Sequence, residues 1–164
     1  MYIPFESLPA HSRIWVYQSN KKISQSDIDT ISETLVAFTQ GWMVHGQPME
    51  ASFDIRYDQF VIIAANDQAS GCSIDKSVNT MKEIGNAIGV DFFDRSQVAF
   101  KLENEIVLLK LSELTKKINE GVWDHQSLTF NNLVDTKSSL ADFWLVPAGS
   151  TWLKRYLPHE TVKG

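Results

Sequence analysis

A single cysteine, Cys72, stands in this chain of 164 residues, so no internal disulfide can form and no oxidised framework holds the fold. No stretch approaches 18 consecutive apolar residues, so a membrane-spanning helix is not expected. The opening M-Y-I-P-F-E-S-L-P has no basic region followed by an apolar one, the pattern of a secretory leader. A cytoplasmic location is the expectation. A basic surplus is missing too: 15 Lys and Arg stand against 20 Asp and Glu, for a net charge of −5. Proteins that grip phosphate backbones normally carry the opposite balance, so nucleic acid is not an expected partner. The pairs Lys21-Lys22 and Lys116-Lys117 read as solvated surface. Absent as well are H-x-x-x-H, H-E-x-x-H, C-x-x-C and any Cys/His cluster, so neither a metal nor a cofactor is expected.

No internal repeat, low-complexity stretch or linker interrupts the chain. With 43% hydrophobic and 21% charged residues, it reads as one α+β domain spanning 1–164. A domain of that size buries about 70% of the surface its unfolded chain exposes.

In order, Pro4 and Pro9 make the first twelve residues an extended arm, and Tyr2, Ile3, Phe5 and Leu8 predict that it packs. Arg13–Gln18 is β-branched and aromatic and reads as a strand. Ser24, with Asp27 three residues on, marks a helix start. Ile28, Ile31, Leu35, Phe38 and Trp42 then recur at helical spacing. Gly41 closes the helix, and G-W-M-V-H-G-Q-P reads as a loop. From Glu50 to Tyr57 the residues alternate, with Ala51, Phe53, Ile55 and Tyr57 on one face. Glu50, Ser52, Asp54 and Arg56 make a wet opposite face. Phe60–Ala65 is apolar throughout and reads as a central strand, paired to its predecessor in a hairpin. Ile74, Val78, Met81, Ile84 and Ile88 define a second helix, with Ser73 as N-cap and Gly89 as terminator. Val98–Glu103 and Ile106–Leu111 flank a turn at Asn104-Glu105. A short helix over Ser112–Asn119, a strand over Leu128–Val134 and a short helix through Trp152 and Tyr156 complete the reading.

Strand, helix, strand, strand, helix, strand predicts a ferredoxin-like α+β sandwich, with an antiparallel-rich sheet and both main helices on one face. The last third is then an extension of that sheet or a cover for its other face.

The chemistry-bearing stretch runs from Ala65 to Val78, A-N-D-Q-A-S-G-C-S-I-D-K-S-V. If Cys72 stands at the start of the second helix, the free amides and positive dipole end favour its thiolate. Those amides, with Ser70, Gly71 and Ser73, equally suit a carboxylate or phosphate. Asp67 and Asp75 flank the stretch and are placed to orient a ligand, or to serve as turn residue and dipole complement. The plainer alternative makes Cys72 a small packed residue. The phosphatase pattern C-x₅-R fails, since position 78 is Val78. His45 is expected at the opposite end of the sheet from the end of Phe60–Ala65, which would exclude a Cys72–His45 dyad. No P-loop is present either. The nearest spacing, Gly41 to Gly46, is followed by Gln47 and Pro48 where Lys and Ser or Thr would hold phosphate and magnesium. ATP hydrolysis is not expected.

Five stretches, Y-I-P-F-E-S-L-P, R-I-W-V-Y-Q-S-N, H-G-Q-P, A-S-G-C-S-I-D-K-S-V and F-N-N-L-V-D-T-K, are spread along the chain and carry a resemblance that extends over nearly all of it. They resemble a family of uncharacterised bacterial proteins of about this length that carry the label "ABC transporter ATPase". The resemblance brings no assigned active site. The residues themselves lead to a non-catalytic module that binds a small anionic ligand or a protein partner. The alternative is a small thiol-dependent enzyme using Cys72, and the oligomeric state stays open.

Overall fold

A computed structural model describes residues 1–66 and 71–158, the side chains of 71–74 excepted. Its elements in chain order are β1 (Arg13–Gln18), α1 (Gln25–Gln40), β2 (Met43–Val44), β3 (Gln47–Pro48), β4 (Ala51–Arg56), β5 (Phe60–Ala65) and α2 (Gly71–Ile88). There follow β6 (Gln97–Leu102), β7 (Glu105–Lys110), α3 (Leu114–Asn119), β8 (Leu128–Phe130), α4 (Lys137–Phe143) and β9 (Leu145–Pro147). The fold is α+β with antiparallel sheets. The chain forms two compact units, one of Met1–Asp94 and Asn132–Trp144, the other of Arg95–Asn131 and Leu145–Gly164.

The first unit is built on a three-stranded sheet of order β1-β5-β4, antiparallel at both junctions. Val61, Ile63 and Ala65 of β5 share a core with Ile31 and Leu35 of α1 and Met81 and Ile84 of α2. Both long helices therefore cover the same face, as the connection argument predicts. Ser24 caps α1 as expected, its Oγ accepting from the Asp27 amide at 3.2 Å. At the far end of α2, Gly89 takes φ 71° and the Val90 amide donates to the Gly85 carbonyl at 3.0 Å, the closing bond of a Schellman turn. One further tie holds α2 to the sheet: the hydroxyls of Tyr17 and Ser77 lie 2.9 Å apart, both buried. Burial pushes the Tyr17 phenol above its ordinary value, with the Ser77 hydrogen bond pulling weakly the other way.

The opposite face, expected to be wet, is partly covered, with Glu50, Asp54 and Arg56 half-buried. Ser52 is fully buried, and the Arg56 guanidinium lies 5.6 Å from the Phe5 ring and 5.8 Å from Trp144 while bonding Asp54 at 2.9 Å. Trp144 also meets Phe60 edge-on at 5.0 Å. The N-terminal arm and the α4 segment supply this cover, which alternation within β4 alone does not reveal. α4 itself escapes the sequence reading, although Thr136 and Ser139 form a reciprocal capping box at its start. Residues 131–134, expected to prolong a strand, leave it after Phe130 instead. There Asn132 bridges Gln18 and the Trp144 indole, at 3.0 Å to each.

β6, the strand expected to complete the first sheet beside β1, pairs elsewhere. It is an inner strand of the second unit's four-stranded sheet, of order β7-β6-β8-β9. The place beside β1 is taken by a single bridge, Arg13 to Thr136, with the Ile14 amide donating to the Asp135 carbonyl. In the second unit Phe100, Leu109, Leu114, Trp123 and Leu153 make a core on one face of the sheet. The Trp123 indole N–H is satisfied by the Leu114 carbonyl at 2.9 Å. The β6–β7 turn falls one residue earlier than expected, at Glu103-Asn104, since Glu105 pairs with Leu102 and Glu103 takes φ 57°.

Two substitutions test this packing. A methyl group at Gly85 would stand 2.5 Å from the Val90 carbonyl oxygen. Gly85→Ala should therefore cost about 1–3 kcal/mol in denaturant unfolding, despite adding helix propensity. The raised Tyr17 pKa contributes stability that is complete below the unfolded-state value of 10.0 and is lost as pH rises through the folded-state value. Wild-type stability should thus fall on the alkaline side, and Tyr17→Phe should flatten that limb of the profile.

Candidate functional site

The order β1-β5-β4 has a geometric consequence. Arg13 and Ala51, which begin β1 and β4, both stand opposite Ala65, where β5 ends. α1 returns to this same end, and α2 begins there after 67–70. The His45 loop therefore shares an end with the start of α2, contrary to the expectation that the sheet separates them. The Lys76 side chain, donating to the Met43 carbonyl at 3.5 Å, marks the proximity. The error lay in placing the loop before β4 at the wrong end: in a strand–helix–strand unit with the hairpin strand inserted between, β4 runs in the same direction as β1.

His45 itself has a conformational role. Val44 pairs with Gln47, and His45 and Gly46 take φ 51° and 77°, the signature of a two-residue type I′ turn. The expected loop is thus a minimal hairpin, β2–β3.

Of the sequence-derived site residues, Asp67 and Ser70 lie outside the described residues, as do the side chains of Gly71, Cys72 and Ser73. By backbone, Gly71, Cys72 and Ser73 form the first turn of α2. Ser73 is consequently not the N-cap; the helix begins at Gly71, three residues sooner than a Ser73 cap requires. Asp75 is exposed on α2.

Two residues that the sequence reading assigned to a strand and a helix face, and not to a site, stand out at this end. Arg13 is partly exposed, yet its Nε is buried and has no hydrogen-bond partner among the described residues. Trp42 is 2% exposed, and its indole N–H is likewise unpartnered. They belong to one stack: the Arg13 guanidinium lies 6.0 Å from the Trp15 ring, Trp15 lies 6.1 Å from Trp42, and Trp42 lies 4.6 Å from Phe38. A buried donor left without an acceptor costs about 1–3 kcal/mol, so two in one stack are notable. Arg13 was legible in principle. It falls in phase with Trp15 and Tyr17, and so on the helix-covered face, where a strand seldom places a charge.

This end thus gathers a guanidinium, an indole N–H, the Lys76 ammonium and the amide-bearing start of α2. The set offers donors and positive potential, and so suits an acceptor-rich anion. Among the described residues no group of three or more His, Cys, Asp or Glu is placed to hold a metal ion, and no helix is long and apolar enough to cross a membrane. Comparison of the chain with protein-family models, with curated protein sequences and with solved structures returns no match.

Proposed function

We propose that the protein is a non-catalytic cytoplasmic binding module that takes a small anionic ligand at the carboxyl end of β5. The observation that carries this reading is the unpartnered, buried Nε of Arg13 beside the strand that feeds α2. A phosphate or carboxylate there would supply the acceptor that the described residues do not, and the helix dipole would add to the attraction. Ser70, Gly71, Ser73, Asp67 and Asp75 would border such a ligand. In the same reading the first unit is the strand–helix–hairpin half of a ferredoxin-like sandwich. Membership of the uncharacterised bacterial family fits it, since neither requires a P-loop.

Titration with inorganic phosphate and with citrate tests the proposal. An anion at about 100 times its dissociation constant stabilises by about 2.7 kcal/mol, which should raise the melting temperature by several degrees. Arg13→Met should abolish the rise, while Lys117→Met, in the second unit, should keep it. No rise with either anion, or an equal rise in Arg13→Met, sinks the reading.

A second reading, a thiol-dependent enzyme using Cys72, is favoured by one observation: the His45 turn and the start of α2 share an end of the sheet. Iodoacetamide at about pH 6 separates the two, because an unperturbed thiol is almost wholly protonated there. The binding module predicts slow alkylation until the chain unfolds. Rapid alkylation of the native protein would move the assignment to the enzyme.

A further inference from the structure

The sheet edges of this protein are unequally protected. β1 is covered at its start by hydrogen bonds with residues 135–137, the Ile14 amide donating to Asp135 and the Lys137 amide to Ser12. β4 begins under the N-terminal arm, with Ala51 bonded to both Met1 and Ile3, and its later half carries the charges of Asp54 and Arg56. β9 is three residues long and ends in Pro147. Short length, proline, charge and cover are the usual means of keeping an edge from pairing with another chain. β7 has none of them along Ile106-Val-Leu-Leu109. It is the outer strand of its sheet, six residues long, with no proline.

Its register fixes which backbone groups are free. Glu105 pairs with Leu102 across a two-residue turn, and the Leu111 amide donates to the Ser96 carbonyl at 2.9 Å. Odd-numbered residues of β7 therefore direct their amides and carbonyls towards β6. Those of Ile106 and Leu108 and the Lys110 amide point away from the sheet and meet no partner among the described residues, while the Lys110 carbonyl opens the 3-10 turn Leu111–Glu113.

We propose that β7 pairs antiparallel with β7 of a second copy of this chain, about a twofold axis at Leu108, joining two four-stranded sheets into one. The strand is self-complementary in that register. The amide and carbonyl of Leu108 meet those of the partner's Leu108, and the Lys110 amide meets the carbonyl of the partner's Ile106. On the same sheet face the aliphatic stem of Lys110 lies along Ile106; on the other, Val107 meets the partner's Leu109. No like charges are opposed. A single strand pair buries less than the roughly 1,200 Å² typical of stable complexes, so association is weak and concentration-dependent. The interface is independent of the anion site.

Sedimentation equilibrium over a wide concentration range should show a monomer–dimer equilibrium. Hydrogen exchange in the wild-type protein should show the Ile106 and Leu108 amides slowing as concentration rises. Leu108→Pro removes an outward donor without touching a bond to β6, an edge position where proline is tolerated. It deletes that donor from both copies and should weaken association by about thirtyfold. Leu108→Lys, which sets two like charges opposite each other, should give a monomer with an unchanged far-ultraviolet spectrum. A monomer at every concentration, exchange at Ile106 and Leu108 that ignores concentration, or a dimer that survives both substitutions would overturn the proposal.

Discussion

All six residues of β5, from Phe60 to Ala65, are buried without exposed surface. An antiparallel strand that alternates apolar and polar residues needs cover on one face only; this one needs it on both. α1 and α2 cover Val61, Ile63 and Ala65. On the other side, Phe60 meets Trp144, and the arm and α4 close over β4 through Phe5, Arg56 and Trp144. Each large aliphatic or aromatic side chain buried this way stabilises by about 1.5–3 kcal/mol. That sum is enough to recruit chain from both ends of the sequence to a strand in its first half. The first unit is consequently three layers deep.

Placing β5 between β1 and β4 also decides what meets at its end. Two strands start there, α1 finishes there and α2 starts there, so side chains distant in sequence converge. Arg13, Trp15 and Trp42 are brought together by this rule. Among the described residues, the Arg13 Nε and the Trp42 indole N–H meet no acceptor there. A fold that leaves a guanidinium nitrogen and an indole N–H buried without acceptors forgoes stability that a different residue at either position would recover. Such a local cost is more common at ligand sites than in structural cores.

What was legible in the sequence followed short-range periodicity. The apolar spacing from Ile28 to Phe38 marks α1, the unbroken run from Phe60 marks β5, and the Ser24 cap and Gly89 stop sit where local chemistry puts them. The failures are long-range. Nothing within Gln97–Leu102 reveals that it pairs with β7 and β8 instead of β1, because an apolar strand fits either sheet. Ser52 reads as solvent-facing until Phe5 and Trp144, more than forty and ninety residues away, close over its strand. The candidate site divides in the same way. The α2 start was visible as a run of small residues, whereas Trp42 looked like ordinary core and its donor became conspicuous only when no acceptor stood near it.

The chain order adds one more constraint. Asn132–Trp144 belongs to the first unit but lies between β8 and β9, which pair with each other in the second. The first unit is therefore not encoded by a contiguous stretch. A chain ending after Asp94 would lack Lys137, whose ammonium bonds the Glu6 and Leu8 carbonyls at 3.0 and 2.8 Å and so ties down the arm. It would also lack Trp144 against Phe60 and the bridge on the β1 edge. The buried outer face of β5 and β4 would then open to water. The pairing of β8 with β9 closes the excursion from Asn132 to Trp144 into a loop, which restricts where that segment can go and lowers the entropy lost when it docks. The two cores are built from different residues.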